Sequence, residues 1–358
     1  MLESLHVEGR YIMDKSGVPV MFVGCTEAQT AWSYPTAPNT PPWWSHASDP
    51  IPMAESMAEL GVKWVRIFIS YEFWVDPTIG ASYRDLIDRY IQEFTTRNVY
   101  CIVTLGMPQS FTDADQAVWL ALLTEVANRY ISNAGMCGIS LFNEPQSDVN
   151  TWRAWARLGA AAVHAANPNL LILVHSLSGY PRYVDGDYWR QNPIGVPNVV
   201  WVYHNYFWQC YYYDKENFAL NYEAGNYALA KQQMEAYFYD RYFKWAVEYG
   251  MCIMNEEFGF NDNTGATPAD KGYSPGFPQC MHDYLQLHNK YSIPWNEYAW
   301  HMGGYGLTDD GVTLNTVGEI WFEYLTLSPP ISLLKVAGIW LVIFIGAGTA
   351  LKLTKRRE

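Results

Sequence analysis

Ile253-Met254-Asn255-Glu256-Glu257-Phe258-Gly259 is an apolar run of strand type that ends abruptly in two carboxylates and a turn residue. Leu141-Phe142-Asn143-Glu144-Pro145 has the same build earlier in the chain. A charge at the end of a buried strand is wasted unless the mouth of that strand is a working cleft. Two such carboxylates suit the cleavage of a glycosidic bond, in which one acid protonates the leaving oxygen and one carboxylate attacks or stabilises the anomeric carbon. Glu256 and Glu257 compete for the second role. In a regular strand neighbouring side chains point opposite ways, so only one of them faces the cleft, and the Phe-Gly that follows favours Glu257.

Working outward from these runs, short apolar or β-branched segments predict eight strands, over 19–24, 64–69, 100–105, 139–143, 170–175, 199–204, 252–257 and 295–300. Helical stretches separate them; over 85–94 and 117–131 the apolar residues recur at spacings of three and four, as in Trp119, Leu122, Leu123, Val126 and Tyr130. A small hairpin, residues 5–7 with 11–13, precedes the main body. Strand then helix, eight times over, is the arithmetic of an α/β protein of the (β/α)8 TIM-barrel type. A doubly wound sheet also alternates, but no G-x-G-x-x-G turn follows the first strand. Barrels of this kind carry their chemistry at the C-terminal ends of the strands. The polar residues collect there: Arg66 in the second strand, Asn143 and Glu144 at the fourth, His204 and Tyr206 at the sixth, Glu257 at the seventh and Trp300 at the eighth.

In that order and on those strands, Asn143-Glu144-Pro145, His204-x-Tyr206, Glu257-Phe258-Gly259 and Trp300 resemble the motifs of glycoside hydrolase family 5, the cellulase-like retaining glycosidases. The resemblance runs from the hairpin to the eighth strand. It implies that Glu144 is the general acid and then the general base, that Glu257 is the nucleophile, and that Asn143 holds the 2-hydroxyl of the sugar being cleaved. It further implies that Arg66 and Tyr206 donate to Glu257 and keep it ionised while Glu144 stays protonated. His204 would orient the acid or touch the sugar, and Trp300 would stack under its ring. Retention requires the two carboxyl groups to stand about 5 to 5.5 Å apart. The chain departs from the family at the third strand, where Leu105-Gly106-Met107-Pro108-Gln109 stands in place of a histidine that members often carry. The expected activity is endo-hydrolysis of β-1,4-glucan. An endo-β-mannanase is the nearest alternative, and an inactive carbohydrate-binding barrel is the reading from another class.

The formal charge is −13, and residues 331–358 contribute Lys335, Lys352, Lys355, Arg356 and Arg357 against Glu358, which leaves −17 for residues 1–330. Such a surface repels phosphate backbones and argues against nucleic acid as a partner. The 16 Trp and 27 Tyr include several in loops, and Trp43, Trp44, Trp74 and Trp208 are candidates for outer sugar platforms beside their plainer role as packing. There is no CxxC, HxH or HExxH, so no metal or other cofactor is implied. Cys25, Cys101, Cys137 and Cys252 lie in or beside apolar runs and read as buried thiols, whereas Cys210 and Cys280 sit in polar, aromatic stretches where a disulfide between them is an option.

The C-terminal end is a separate physical object. Residues 336–351 carry no charge and are closed by Lys335 and Lys352, which predicts a transmembrane helix followed by a basic cytoplasmic tail over 352–358. The domain reading is a catalytic barrel over 1–328, a linker and anchor over 329–351, and that tail. The barrel would face outward from the cell membrane, toward its polysaccharide. Met1-Leu2-Glu3-Ser4-Leu5 lacks the basic start and apolar run of an export signal, so this orientation expects a mature or trimmed sequence; a tail-anchored protein facing inward is the alternative.

Overall fold

Along Trp64-Val65-Arg66-Ile67-Phe68-Ile69 every side chain is buried, which a strand achieves only if both of its faces are covered. The computed structural model describes residues 2–28, 30, 49–106, 110–175, 185–206, 210, 216–259, 277–300, 306–308, 314, 316–327, 332–336 and 339–343. An antiparallel hairpin comes first, β1 (His6–Glu8) with β2 (Tyr11–Met13), turning through Gly9 at φ 57°. Eight strands then follow: β3 (Val23–Glu27), β4 (Trp64–Ser70), β5 (Tyr100–Gly106), β6 (Met136–Ser140), β7 (Leu171–His175), β8 (Val199–His204), β9 (Ile253–Phe258) and β10 (Trp295–Glu297). Each is parallel to the next, and β10 pairs with β3, so the sheet closes. The architecture is the predicted (β/α)8 barrel.

Alternation sorts the apolar residues into two cores. Val65, Ile67, Ile69, Val103, Ile139, Ile172 and Val174 face outward into a large cluster shared with the surrounding helices. Trp64, Ile102, Leu171, Leu173, Val200, Val202 and Met254 face inward, and Leu5 and Ile12 of the hairpin region join them. The hairpin is therefore the floor of the barrel, sealing the end opposite the strand mouths. Gly24 makes room in this interior: a Cβ there would stand 2.2 Å from the Trp64 carbonyl oxygen.

All eight strands lie near their predicted positions, but three are displaced. The first runs over Val23–Glu27 instead of 19–24, because Phe22 is apolar for packing on Trp64 in the floor, ring centroids 5.9 Å apart, rather than for pairing. The fourth ends at Ser140; Leu141 belongs to the outer core, and Phe142 owes its hydrophobicity to packing on Trp119 and Trp152. The eighth ends at Glu297. The predicted helices are longer than their apolar periodicity, Gly80–Thr96 and Asp113–Arg129, the second starting at a reciprocal cap between Thr112 and Asp115. Two of the outer helices reach back to the strand ends. Trp119 of Asp113–Arg129 donates its indole N–H to the Leu141 carbonyl at 2.8 Å, and Trp152 of Val149–Ala166 donates to that of His175 at 2.6 Å.

The described part of the C-terminal segment differs from the expected helix over 336–351. Ser332–Val336 (β11) and Ile339–Ile343 (β12) pair antiparallel, with Lys335 opposite Trp340. Val336, Ile339, Val342 and Ile343 are β-branched, and such residues lose rotamer freedom in a helix but fit a pleated strand. Among the described residues no helix is long and apolar enough to cross a membrane, and 344–358 lie outside them.

Candidate active site

Every barrel strand carries a buried polar side chain on its inward face, at or near the strand end: Thr26, Arg66, Thr104, Ser140, His175, His204, Glu256 and Asn296. Above the apolar floor they form one polar layer, and Arg66 is its centre. Its Nε donates to Thr104 Oγ1 at 2.9 Å and lies 3.2 Å from Glu256 Oε1; its Nη1 meets Glu257 Oε2 at 2.5 Å and its Nη2 meets Asn143 Oδ1 at 2.8 Å. The guanidinium also lies over the Phe68 ring, 4.4 Å from its centroid. A fully buried cation is costly unless paired, and here two carboxylates share it.

Glu256 and Glu257 both point at Arg66, which a regular strand forbids. The register explains it: Tyr203 of β8 pairs with Asn255, but His204 pairs with Glu257, so Glu256 is one residue extra. The same slip occurs on the other side, where Trp295 pairs with Asn255 and Glu297 with Phe258. A β-bulge re-aims side chains in this way, and it corrects the expectation that only one of the two acids faces inward. Glu257 takes the upper place, accepting from Arg66 and from the Tyr206 hydroxyl. Glu256 lies in the layer beneath, fully buried, accepting from Ser140 Oγ at 3.0 Å and paired with His175 Nε2 at 3.1 Å.

Glu144 is reached by a loop rather than by a strand. Beyond Ser140 the chain stays extended, held by Leu141 N–H to the Leu173 carbonyl and Asn143 N–H to that of Leu105, and it turns at Glu144 with φ 45°. The Glu144 N–H donates to His175 Nδ1 at 3.1 Å, so that nitrogen carries no proton and the His175 N–H is on Nε2, aimed at Glu256. The Glu144 carboxylate meets His204 Nδ1 at 2.7 Å, and the same nitrogen is 3.6 Å from Glu257 Oε2. One carboxylate oxygen of Glu144 and one of Glu257 lie within 4.8 Å of each other across the barrel mouth.

The charges follow from these contacts. Burial works against protonated His204, but Glu257, Glu144 and Glu256 overcome it and raise its pKa to about 9. Burial likewise favours a neutral Glu144, yet the His204 hydrogen bond and charge outweigh it and hold the carboxyl below its ordinary value. The proton of the Glu144–His204 pair therefore rests on the imidazole in the substrate-free protein, whereas the sequence reading puts it on Glu144. Glu256, despite complete burial, is held well below the usual carboxylate range by Arg66 and the two histidines. His175 is pushed down to about 4 by burial and is neutral. Two acid and histidine groups, His175–His204–Glu256 and Glu144–His204–Glu257, have the donor types to hold a cation. Arg66 already supplies the positive charge at both.

A family model described as cellulase, glycosyl hydrolase family 5, matches residues 13–304, most of the chain. The protein belongs to glycosyl hydrolase family 5. An endoglucanase of Paenibacillus polymyxa is 23% identical over 225 residues, 54% of this chain and 55% of that protein. The major extracellular endoglucanase of Xanthomonas campestris pv. campestris is 29% identical over 146 residues, 33% of this chain and 30% of that one. These matches span about half or less of the relatives' own length. The solved catalytic domain of the Xanthomonas endoglucanase superposes with a TM-score of 0.65 at 20% identity, covering 90% of this chain and 99% of that one, a likeness of fold.

In this family 5 barrel the structure brings together Arg66, Asn143, Glu144, His204, Tyr206 and Glu257. It does not bring Trp300. That indole is fully buried and packs edge-on to Trp321 in the outer core, centroids 6.3 Å apart, with no face left for a sugar. Beyond Glu297 the chain has left the strand, so counting forward two by two no longer gives direction. Tyr298 holds the place instead: it is half-buried, edge-on to Tyr206 at 6.4 Å and to Phe68 at 6.5 Å. Gly259 keeps this corner tight, since a Cβ there would lie 3.1 Å from the Tyr298 carbonyl oxygen and 3.2 Å from the Tyr206 ring. Trp74 is not an outer platform either, being buried with its indole N–H on Glu125 Oε1 at 3.0 Å. Trp43, Trp44, Trp208 and Met107 to Gln109 lie outside the described residues. Cys210 and Cys280 are buried and line one small apolar cavity as thiols, not as a disulfide. Sequence reasoning missed His175, Tyr298 and the joint inward placement of Glu256; for the last, the signal was a second acid where alternation allowed one.

Proposed function

We propose that the protein is a retaining endo-glycosidase of β-1,4-linked polysaccharide, with cellulose-type β-glucan as its substrate. The observation that carries this reading is the separation of the Glu144 and Glu257 oxygens, within 4.8 Å, across the mouth of a family 5 barrel. Inverting enzymes leave about 6.5 to 9.5 Å for a water between their carboxyl groups, whereas retaining ones bring the second close enough to bond to the sugar.

In the first step Glu257 attacks the anomeric carbon and the bond to the leaving oxygen breaks. Arg66 and Tyr206 hold the attacking carboxylate by its two oxygens, Oε2 and Oε1 respectively. The leaving oxygen takes its proton from Glu144, which draws it from His204 Nδ1 as negative charge develops. In the second step Glu144 accepts a proton from water as that water displaces Glu257 and frees the sugar. Arg66 occupies the amide oxygen of Asn143, which turns that side chain into a donor toward the sugar 2-hydroxyl. Tyr298 supplies an aromatic flank to the ring.

The endoglucanase relatives favour glucan over mannan, which differs from it only at C2. The presence of both carboxylates, facing each other across the barrel mouth, speaks against an inactive carbohydrate-binding barrel. Anchorage of the barrel outside a membrane through residues 336–351 is supported by the apolar, lysine-flanked composition of that segment alone. The test is reducing-sugar release from soluble cellulose and from mannan, with the anomer of the first product followed by NMR. Glucan cleavage with the β-anomer formed first is expected. Cleavage of mannan alone transfers the reading to a mannanase, α-anomer first rejects retention, and no release from either polymer leaves the inactive barrel.

A further inference from the structure

We propose that Glu256 and His175 are positioning residues for Glu144, holding it from two sides through a closed ring of contacts beneath the sugar site. The ring starts at the Glu144 peptide N–H, which donates to His175 Nδ1 at 3.1 Å. His175 Nε2–H passes to Glu256 Oε2 at 3.1 Å, and that oxygen faces His204 Nε2 at 3.7 Å. His204 Nδ1 returns to the Glu144 carboxylate at 2.7 Å. The two imidazoles meet edge to face, centroids 4.7 Å apart, so neither ring turns without moving the other. Backbone and side chain of one catalytic residue are thus tied to the same buried carboxylate.

That carboxylate has nothing else to do in the reaction. It is shut off from solvent, and its partners come from five strands: Arg66, Thr104, Ser140, His175 and His204. A cation bound between His175, His204 and Glu256 Oε2 would sit beside the Arg66 charge, whose Nε lies 3.2 Å from the other oxygen of the same carboxylate. The geometry fits a proton-holding role instead. Imidazolium at His204 faces Glu144 and Glu257 above and Glu256 below, with burial opposing it; Arg66 is the other cation of the layer, and His175, against its ring, is neutral. Glu256 supplies one of the three charges that keep the reserve proton on the pair serving the leaving oxygen, and His175 fixes the turn from which Glu144 reaches it.

The inference rests on the hydrolase reading above, and the test separates the two. Aryl β-cellobiosides with a dinitrophenyl leaving group need no proton, whereas the phenyl glycoside does. For wild type, Glu256→Gln and His175→Gln, kcat/KM is measured on both substrates across pH. Glu256→Gln keeps shape but removes the charge; His175→Gln keeps a donor at the Nε2 position toward Glu256 but has no acceptor atom at the Nδ1 position, where the Glu144 N–H is received. General-acid catalysis contributes about 10²- to 10⁴-fold, so each variant is expected to lose at least about ten-fold more on the phenyl than on the dinitrophenyl substrate. In Glu256→Gln the basic limb, near pH 9 in wild type, moves down by about one unit. If Glu256→Gln fails to fold, the leaving-group ratio of His175→Gln decides alone. Equal losses on both substrates with an unmoved limb, in variants of native circular dichroism, overturn this inference and leave the hydrolase standing. A wild type inactive on both overturns the hydrolase reading and this one with it.

Discussion

Arg66 is one residue doing the work of a small counter-ion cluster: four side chains from three different stretches of chain converge on its three nitrogens. Because that charge is fixed and buried, the roles of the acids around it are set by height above it. Glu256 is below and locked; Glu257 is at the surface of the cleft, with a hydroxyl and a guanidinium to aim it. Glu257→Gln and Glu144→Gln are each expected to lower kcat by several orders of magnitude without unfolding the domain, read by steady-state rates on soluble cellulose and by circular dichroism. Full activity in Glu257→Gln would hand the nucleophile role to Glu256. Six of the seven singled-out residues lie together: five sat at or just after the end of an apolar run, where direction can be read from position, and Arg66 was the lone charge inside one. Trp300 did not, because the chain beyond Glu297 is no longer a strand. His175 was invisible as a site residue for a different reason: a lone histidine ending an apolar strand looks the same whether it fills a core or aims a loop.

At the level of elements, the sequence carried the strand and helix alternation clearly, since eight buried strands must be eight apolar runs. It carried their ends poorly. Phe22 and Phe142 are apolar for tertiary reasons, one in the floor and one against Trp119, and periodicity cannot separate packing from pairing. The bulge in β9 was equally hidden, because an extra residue has no signature until its partners are known. The hairpin was legible as a hairpin but not as a plug. Its Leu5 and Ile12 neighbourhood is deeply buried against the inward faces of the strands, so Ile12→Ala is expected to cost about 2 to 5 kcal/mol, measured by urea denaturation. It lies at the end of the barrel away from the carboxylates, and kcat of the folded fraction should be unchanged. A large loss of kcat without loss of stability would show that the floor and the site are coupled.

For the molecule as a whole, net acidity and the aromatic surplus belong to the barrel, and a net positive charge belongs to the last residues. The family match ends at residue 304, well short of the apolar segment. Removal of residues 331–358 is therefore expected to leave a soluble protein with the full-length melting temperature and activity. A truncated protein that aggregates or melts many degrees lower would mean that the segment is part of the fold. The central claim concerns what lies across the mouth of the closed sheet: Glu257 bonds to the sugar and Glu144 serves it with a proton. The most direct measurement is to trap the intermediate with a 2-deoxy-2-fluoro cellobioside bearing an activated leaving group, digest the protein and sequence the labelled peptide by mass spectrometry. A single adduct on Glu257 is the result expected; an adduct on Glu256 or Glu144, or turnover with no covalent species at all, would contradict the account.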